Sequence, residues 1–251
     1  MEETKALLRD IILSIKKDAT VRDVAIGPLF TAVHSRRVGL SSTLRGCEVV
    51  DEVKVNYKGE TGLELANLVF SDDILEASLG LSAINSLMEI ESERILEINA
   101  TSLLFGLGRG RRITVIGHFP FVEEIEKVAH EVWVIERRPK EGDYAEEMME
   151  SSLPISDIVA ISGTTLINHT LGRILSICRE DALKILLGPS TCLSPVLFDY
   201  GVDVLSGTLV TSEERLMGLV KEGANFRRIK KEGVVRLVSI ARNETELLKH
   251  L

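Results

Sequence analysis

The sequence predicts an α/β protein whose larger part is a doubly wound, mostly parallel sheet. Three observations predict it. From residue 112 onward, short apolar runs alternate with helical stretches. Four of those runs lead to a glycine, and the first hundred residues lack the alternation. Short apolar runs bounded by turn residues read as strands buried on both faces, as in parallel sheets flanked by helices. Alternating β and α then selects the doubly wound class. A chain of 251 residues is long for one core and comfortable for two. We expect a small domain over residues 1–100 and the parallel-sheet domain over 101–251.

The chain opens with an amphipathic helix over 3–17, its stripe formed by Leu7, Leu8, Ile11, Ile12 and Ile15. A strand at 21–26 and a Gly27-Pro28 turn follow. A second extended stretch at 30–38 runs into Gly39-Leu40-Ser41-Ser42-Thr43. It sets Thr31, His34, Arg36 and Arg37 among apolar residues, as the exposed face of a sheet does. Residues 60–70 read as helix. Ser71 is the expected N-cap of the next one, with Asp72 and Asp73 in the first turn, where carboxylates suit the helix dipole. That helix, over 72–89, carries Ala77, Ser78, Gly80, Ser82 and Ala83. Such small residues suit close packing against a sheet or against a second copy of the chain. Residues 90–111 end in Gly106-Leu107-Gly108-Arg109-Gly110-Arg111 and read as the inter-domain connection.

The repeating unit is clearest in Arg112-Ile113-Thr114-Val115-Ile116-Gly117-His118-Phe119-Pro120. A strand at 113–116 ends on Gly117 and His118, and Pro120, with φ near the helical value, suits the first turn of a helix over 121–129. A strand at 132–136, a polar loop with Pro139, Gly142 and Asp143, and a short helix at 144–150 follow. The strand at 158–161 meets Ser162-Gly163-Thr164-Thr165 and a helix over 166–178. The strand at 185–187 meets Gly188-Pro189-Ser190-Thr191-Cys192, and Ser194-Pro195 starts a helix by N-cap and proline. The strand at 202–205 meets Ser206-Gly207-Thr208, then a helix at 213–222, and 234–238 is an edge strand. Ligands of open parallel sheets bind at the carboxyl ends of strands, which is where these glycines fall.

Composition excludes several function classes. The net charge of −8 gives no electrostatic case for coating nucleic acid. The basic cluster Arg227-Arg228-Ile229-Lys230-Lys231 is short and reads as a solvated surface. No apolar run reaches the ~18–20 residues of a membrane span, and the acidic amino terminus is unlike a secretory signal. Cys47, Cys178 and Cys192 have no C-x-x-C spacing, so neither a disulfide framework nor a structural zinc site is expected. The expected compartment is the reducing cytoplasm. The chain has no Gln and is rich in Glu, Lys and Arg, a bias reported for hyperthermophiles.

The strand-end residues can carry chemistry. Glycine permits positive φ and close approach of backbone to a ligand, and Ser or Thr stands beside three of the four. Glu136, ending the second strand, fits the acidic position of a dinucleotide site, but the loop after the first strand has one glycine where G-x-G-x-x-G has three. The phosphate loop G-x-x-x-x-G-K-[ST] is absent, as is the G-x-S-x-G elbow of a serine triad. His118 and His169, with Glu136, Asp143 and Cys192 in reach, would suit a metal or acid–base role, although no metal-ligand spacing supports one. Cys192 reads as a small buried hydrophobe.

Gly117-His118-Phe119-Pro120, Ile135-Glu136-Arg137, Gly142-Asp143, Ser162-Gly163-Thr164-Thr165-Leu166-Ile167-Asn168 and Leu187-Gly188-Pro189-Ser190-Thr191 together resemble the signature of the putative heavy-metal-chelation domain family, whose function is unknown. Upstream, Ile26-Gly27, Thr31-Ala32-Val33, Gly39-Leu40-Ser41 and Leu79-Gly80-Leu81-Ser82-Ala83-Ile84-Asn85 resemble the small domain that precedes it. The resemblance covers most of the chain. It implies an enolase-N-terminal-like α+β domain followed by a Rossmann-like domain, with a site between them. His169 departs from the family pattern, where a small residue is expected.

The expected ligand-binding residues are Gly117, His118, Glu136, Gly163, Thr164, Thr165, Asn168, Gly188, Ser190 and Thr191, faced by Thr31, Arg36 and Gly39–Thr43 of the small domain. Candidate metal ligands are His118, Glu136 and Asp143. Our first reading is a protein that binds, and in one version processes, a small anionic metabolite or its divalent or heavy-metal chelate. The alternatives are a cofactor- or nucleotide-dependent α/β enzyme and a non-catalytic homo-oligomeric scaffold. Three helix N-termini expected at the rim, after Gly117-His118-Phe119, after Ser162-Gly163-Thr164 and at Ser194-Pro195, would favour an anion over a bare cation.

Overall fold

The computed structural model describes residues 1–45 and 57–249. Cys47 lies outside them. Helix α1 (Glu2–Ser14) buries Leu7, Leu8 and Ile11, as its period requires. Strands β1 (Asp23–Ile26), β2 (Phe30–His34) and β3 (Val38–Ser42) form an antiparallel sheet in that order. The single stretch expected over 30–38 is therefore a hairpin, with His34 opposite Val38. Its Ser35-Arg36-Arg37 turn has no Gly, Pro or Asn and is held from outside. The Ser35 and Ser86 hydroxyls share a hydrogen bond, and the Arg37 N–H donates to the Ser86 carbonyl.

Helix α2 (Gly62–Ala66) starts in a capping box, with Thr61 and Glu64 each accepting the other's backbone N–H. Helix α3 (Ile74–Leu87) is capped by Asp73, whose carboxylate accepts from the N–H groups of Leu75 and Glu76. Ser71, the expected cap, instead donates to the Glu76 carboxylate. The small residues of α3 are consumed within the chain. A Cβ on Gly80 would lie 2.0 Å from the Val69 nitrogen, and one on Gly39 would lie 2.1 Å from the Ser82 carbonyl oxygen. The Ser82 hydroxyl donates to the Thr31 carbonyl and that of Ser41 to the Ser78 carbonyl. The small residues of that helix are thus packed against the chain's own β2, β3 and the segment before α3.

Helix α4 (Ala100–Leu107), capped by Asn99, stands where a plain connection was expected. After it come β4 (Arg112–Ile116), α5 (Val122–Glu126), β5 (Glu131–Ile135), α6 (Met149–Ser152), β6 (Ile158–Ser162), α7 (Leu171–Ile177) and β7 (Leu183–Leu187). The chain continues through α8 (Val196–Asp199), β8 (Val204–Val210), α9 (Glu213–Lys221), α10 (Phe226–Lys231), β9 (Val235–Ala241) and α11 (Glu244–Lys249). The second sheet runs β5-β4-β6-β7-β8-β9, parallel except for β9, which pairs antiparallel along β8 at the edge.

Alternate strand residues enter different cores, which makes the sheet doubly wound. Val159, Ile161, Leu186 and Leu205 pack with residues of α1, α3 and α7. Ile113, Val115, Ala160 and Ile185 pack with Leu103, Leu104 and Ile125 of α4 and α5. A third cluster sets Leu216, Leu219 and Val220 of α9 against Ala25, Ala32 and Leu40, so a late helix covers the outer face of the small sheet. At about 1.5–3 kcal/mol for each fully buried Leu, Ile or Val, these shared cores fix the two sheets against each other. Among the described residues, no helix is long and apolar enough to cross a membrane.

Three further expectations are corrected. The helix expected over 166–178 is interrupted: Gly163–Thr165 is a short 3-10 turn, the chain turns at His169 with φ 57°, and α7 begins at Leu171. Ser194 makes no cap hydrogen bond, and α8 has four residues. Gly207 lies inside β8 rather than closing a strand.

Candidate functional site

β4 has β5 on one side and β6 on the other, so the chain leaves β4 toward one edge and returns across it. This reversal is the topological switch point, where open α/β sheets hold their ligands. A cleft of about 800 Å³ opens there, lined by the loops after β4, β5, β6 and β7 and by Ser42–Arg45 at the end of β3.

The strand-end loops nest closely. Gly117 has φ 106°, and a Cβ there would lie 3.1 Å from the Ser162 Cβ. Gly163 meets the next loop, where a Cβ would lie 2.6 Å from the Thr191 nitrogen. The Ser162 hydroxyl accepts from the Thr164 N–H and shares a 2.8 Å hydrogen bond with the Thr164 hydroxyl. Thr165 donates back to the Ser162 carbonyl. Across the cleft, the Ser190 hydroxyl accepts from the Ser42 N–H (2.8 Å) and donates to the Ser42 hydroxyl (3.1 Å). That pair joins the two sheets at the floor. Asn168 accepts from both the N–H and the hydroxyl of Thr170, which shapes the loop after β6.

The charged corner is built on β4 and β5. Glu136 accepts the His118 N–H on one carboxylate oxygen (2.8 Å) and its neighbour Arg137's N–H on the other (3.1 Å). Glu136 therefore ties the two strand-end loops together, whereas the dinucleotide alternative needed it for a ribose. His118 Nδ1 lies 3.1 Å from the Asp143 carboxylate, which also accepts the Lys140 N–H. Burial works to raise the Asp143 pKa. The Lys140 N–H, the His118 ring and the nearby cationic charge outweigh it and hold the carboxyl below its ordinary value. When His118 Nδ1–H donates to Asp143, a neutral ring keeps Nε2 as its proton acceptor.

Of the expected site residues, Gly117, His118, Glu136, Gly163, Thr164, Thr165, Asn168, Gly188 and Ser190 line the cleft. Thr31 does not: it is fully buried, with its hydroxyl on that of Thr43. Arg36 is at the hairpin turn and pairs with Glu89. Thr191 belongs to a separate pocket of about 180 Å³ behind its loop. His169 is a buried clamp, its ring N–H donating to the Val69 carbonyl (2.7 Å) and its own carbonyl accepting from the Thr4 hydroxyl.

The sequence reading missed Arg45, Arg137, Arg138 and Phe119, all of which line the cleft. Among the described residues, none of the three guanidinium groups has an ion-pair partner. Arg137-Arg138-Pro139-Lys140, a basic run leaving a strand end in an acidic chain, was the available signal. The three helix N-termini are not present as expected. α5, α7 and α8 have five, seven and four residues, and α7 starts well past Thr164. Macrodipoles that short add little, and Glu123 and Glu124 occupy the first turn of α5.

The described residues of the cleft do not fit a resident metal site. Among the described residues, no group of three or more His, Cys, Asp or Glu side chains could hold an ion. Glu136 and Asp143 are already engaged by backbone N–H groups. Burial pushes the Cys178 thiol up to about 11 and the Cys192 thiol up to about 12, so neither is a ready thiolate.

A doubly wound sheet with a cleft at its switch point, closed on one side by a small antiparallel sheet, defines a two-sheet α/β protein. The chain belongs to the DUF364 family, described as "putative heavy-metal chelation", whose model matches residues 99–239. A second family model of the same description, DUF4213, matches residues 8–88. An uncharacterised protein of Methanocaldococcus jannaschii is 27% identical over 88% of this chain and 90% of its own length. The crystal structure of a DUF364 protein of unknown function from Desulfitobacterium hafniense superposes with a TM-score of 0.85. It is 27% identical and covers 96% of this chain and 100% of its own. Another, from Pyrococcus horikoshii, shares the fold with a TM-score of 0.81 at 23% identity, covering 95% and 99%.

Proposed function

We propose that the cleft binds a small organic anion, carried either free or as a metal chelate. The observation that carries this reading is the set of three arginines, Arg45, Arg137 and Arg138, without ion-pair partners among the described residues, on the cleft of a chain of net charge −8. Cationic groups concentrated in one crevice of an acidic protein attract and orient anions, and guanidinium forks match carboxylate and phosphate geometry. The hydroxyls of Ser162 and Thr164 and the left-handed glycines add donors and close approach. A metal enters as part of the ligand, because the described residues supply no cage for a bare ion.

Calorimetry with citrate tests this. Citrate should bind with one-to-one stoichiometry and weaken by ~10-fold or more in Arg137→Ala/Arg138→Ala, the loss of about 1.4 kcal/mol or more. Stoichiometric, tight binding of Zn²⁺ or Ni²⁺ with no organic anion present would overturn it. A second reading, that the cleft also moves a proton, is favoured by the Asp143–His118 pair at its edge. A domain boundary near residue 100 is also proposed; the matched stretches end at 88 and begin at 99.

A further inference from the structure

We infer that the anion of this cleft carries a planar aromatic or heteroaromatic ring, which stacks on Phe119. This deepens the anion-binding reading above and rests on it.

Phe119 follows Gly117 and His118 on the loop after β4, where a phosphate-binding site of this fold class would have backbone and glycine. Its ring lies across the strand ends. A Cβ on Gly117 would meet its Cε2 at 3.2 Å, and one on Gly188 would meet its Cε1 at 3.7 Å. Its edge thus spans from the end of β4 to the end of β7, and the glycine at 117 makes room for it. One face is taken by Phe121, stacked at a centroid distance of 5.0 Å with the rings 8° apart. Phe119 lines the cleft and Phe121 does not. A ligand plane would settle on the face of Phe119 remote from Phe121.

A ring backed by another ring, with its edges fixed, is a preorganised stacking surface that loses little freedom when a second plane settles on it. The surroundings suit one. Leu44, Ile74, Ile116 and Met149 supply apolar walls, whereas Arg137 and Arg138 supply charge at the mouth. A purely aliphatic polycarboxylate would leave that wall unfilled. An aromatic carboxylate and a nucleoside monophosphate share the required chemistry, a flat ring and an anion.

Calorimetry with 2,3-dihydroxybenzoate, AMP and citrate separates the possibilities, using the full chain and the variants Phe119→Leu and Phe119→Trp. At least one ring-bearing probe should bind ~10-fold or more tightly than citrate. Phe119→Leu, which keeps apolar bulk under the loop, should weaken that probe by roughly tenfold, in line with the cost of removing an aromatic stacking partner. Phe119→Trp should retain it, and citrate affinity should be unmoved by either variant. Which ring binds tells the aromatic carboxylate from the nucleotide. Ring-bearing probes that bind no better than citrate, or that ignore Phe119→Leu, overturn the stacking inference while leaving anion binding intact. Failure of all three probes to bind overturns both.

Discussion

Two histidines leave the ends of neighbouring strands, His118 after β4 and His169 after β6. His118 points out of a loop at the cleft, with its side chain 39% exposed and a carboxylate for a partner. His169 is 5% exposed, sits at φ 57° and spends its ring on a main-chain carbonyl a hundred residues away. The partners decide the roles. A carboxylate beside an exposed ring leaves a polar pair at the cleft edge. A carbonyl beside a buried ring leaves only a strut. Thr4 completes that strut by donating to the His169 carbonyl and accepting the Gly172 N–H, which seats α1 against α7. One strand end thus faces the cleft, while the next closes the seam between α1 and α7.

The largest expected effect lies at the strut. His169→Ala removes the donor to a buried carbonyl, for a loss of about 1–3 kcal/mol, while the left-handed backbone strain stays as it is in the parent. Asparagine tolerates that backbone, so His169→Asn should recover about 1 kcal/mol of it. Urea denaturation reads both. Loss in His169→Ala within experimental error of zero would break the comparison.

The middle effect lies at the cleft. His118→Ala removes an exposed partner, and its cost in urea denaturation should be at most about 1 kcal/mol. A loss as large as that of His169→Ala would mean that both histidines are structural.

The same contrast explains what was legible beforehand. The strands of the parallel sheet were legible because burial on both faces leaves continuous apolar runs, as in Ile158–Ser162 and Leu183–Leu187. Gly117, Gly163 and Gly188 were legible as strand ends because a left-handed or crowded backbone demands glycine there. The β2–β3 hairpin was not, because its turn lacks turn-forming residues and leans on Ser86 of α3. The break at His169 was hidden for a similar reason: a tertiary hydrogen bond, not a glycine, supports its positive φ. Arg137 and Arg138 were not singled out, because having no ion-pair partner among the described residues is a property of the folded surroundings.

The smallest expected effect is a pH dependence confined to the His118 corner. Asp143 has a folded pKa below its unfolded value of about 3.9. The unfolded state therefore takes up the proton first as pH falls, and stability declines. The contribution of Asp143 is fully present above pH ~4 and is lost as pH drops through the folded pKa. Amide exchange at the Lys140 N–H, which donates to Asp143, reads this locally. The wild-type protein should lose protection there below pH ~4, and Asp143→Asn should show no such acid limb. His118→Ala should keep part of the limb, because the Lys140 N–H still donates to the carboxylate and lowers its pKa. His169→Asn should keep all of it, since that side chain bonds on the far side of its loop to Val69. An acid limb at Lys140 that survives Asp143→Asn, or that disappears in His169→Asn, would show that the two corners are coupled and that the division between them is wrong.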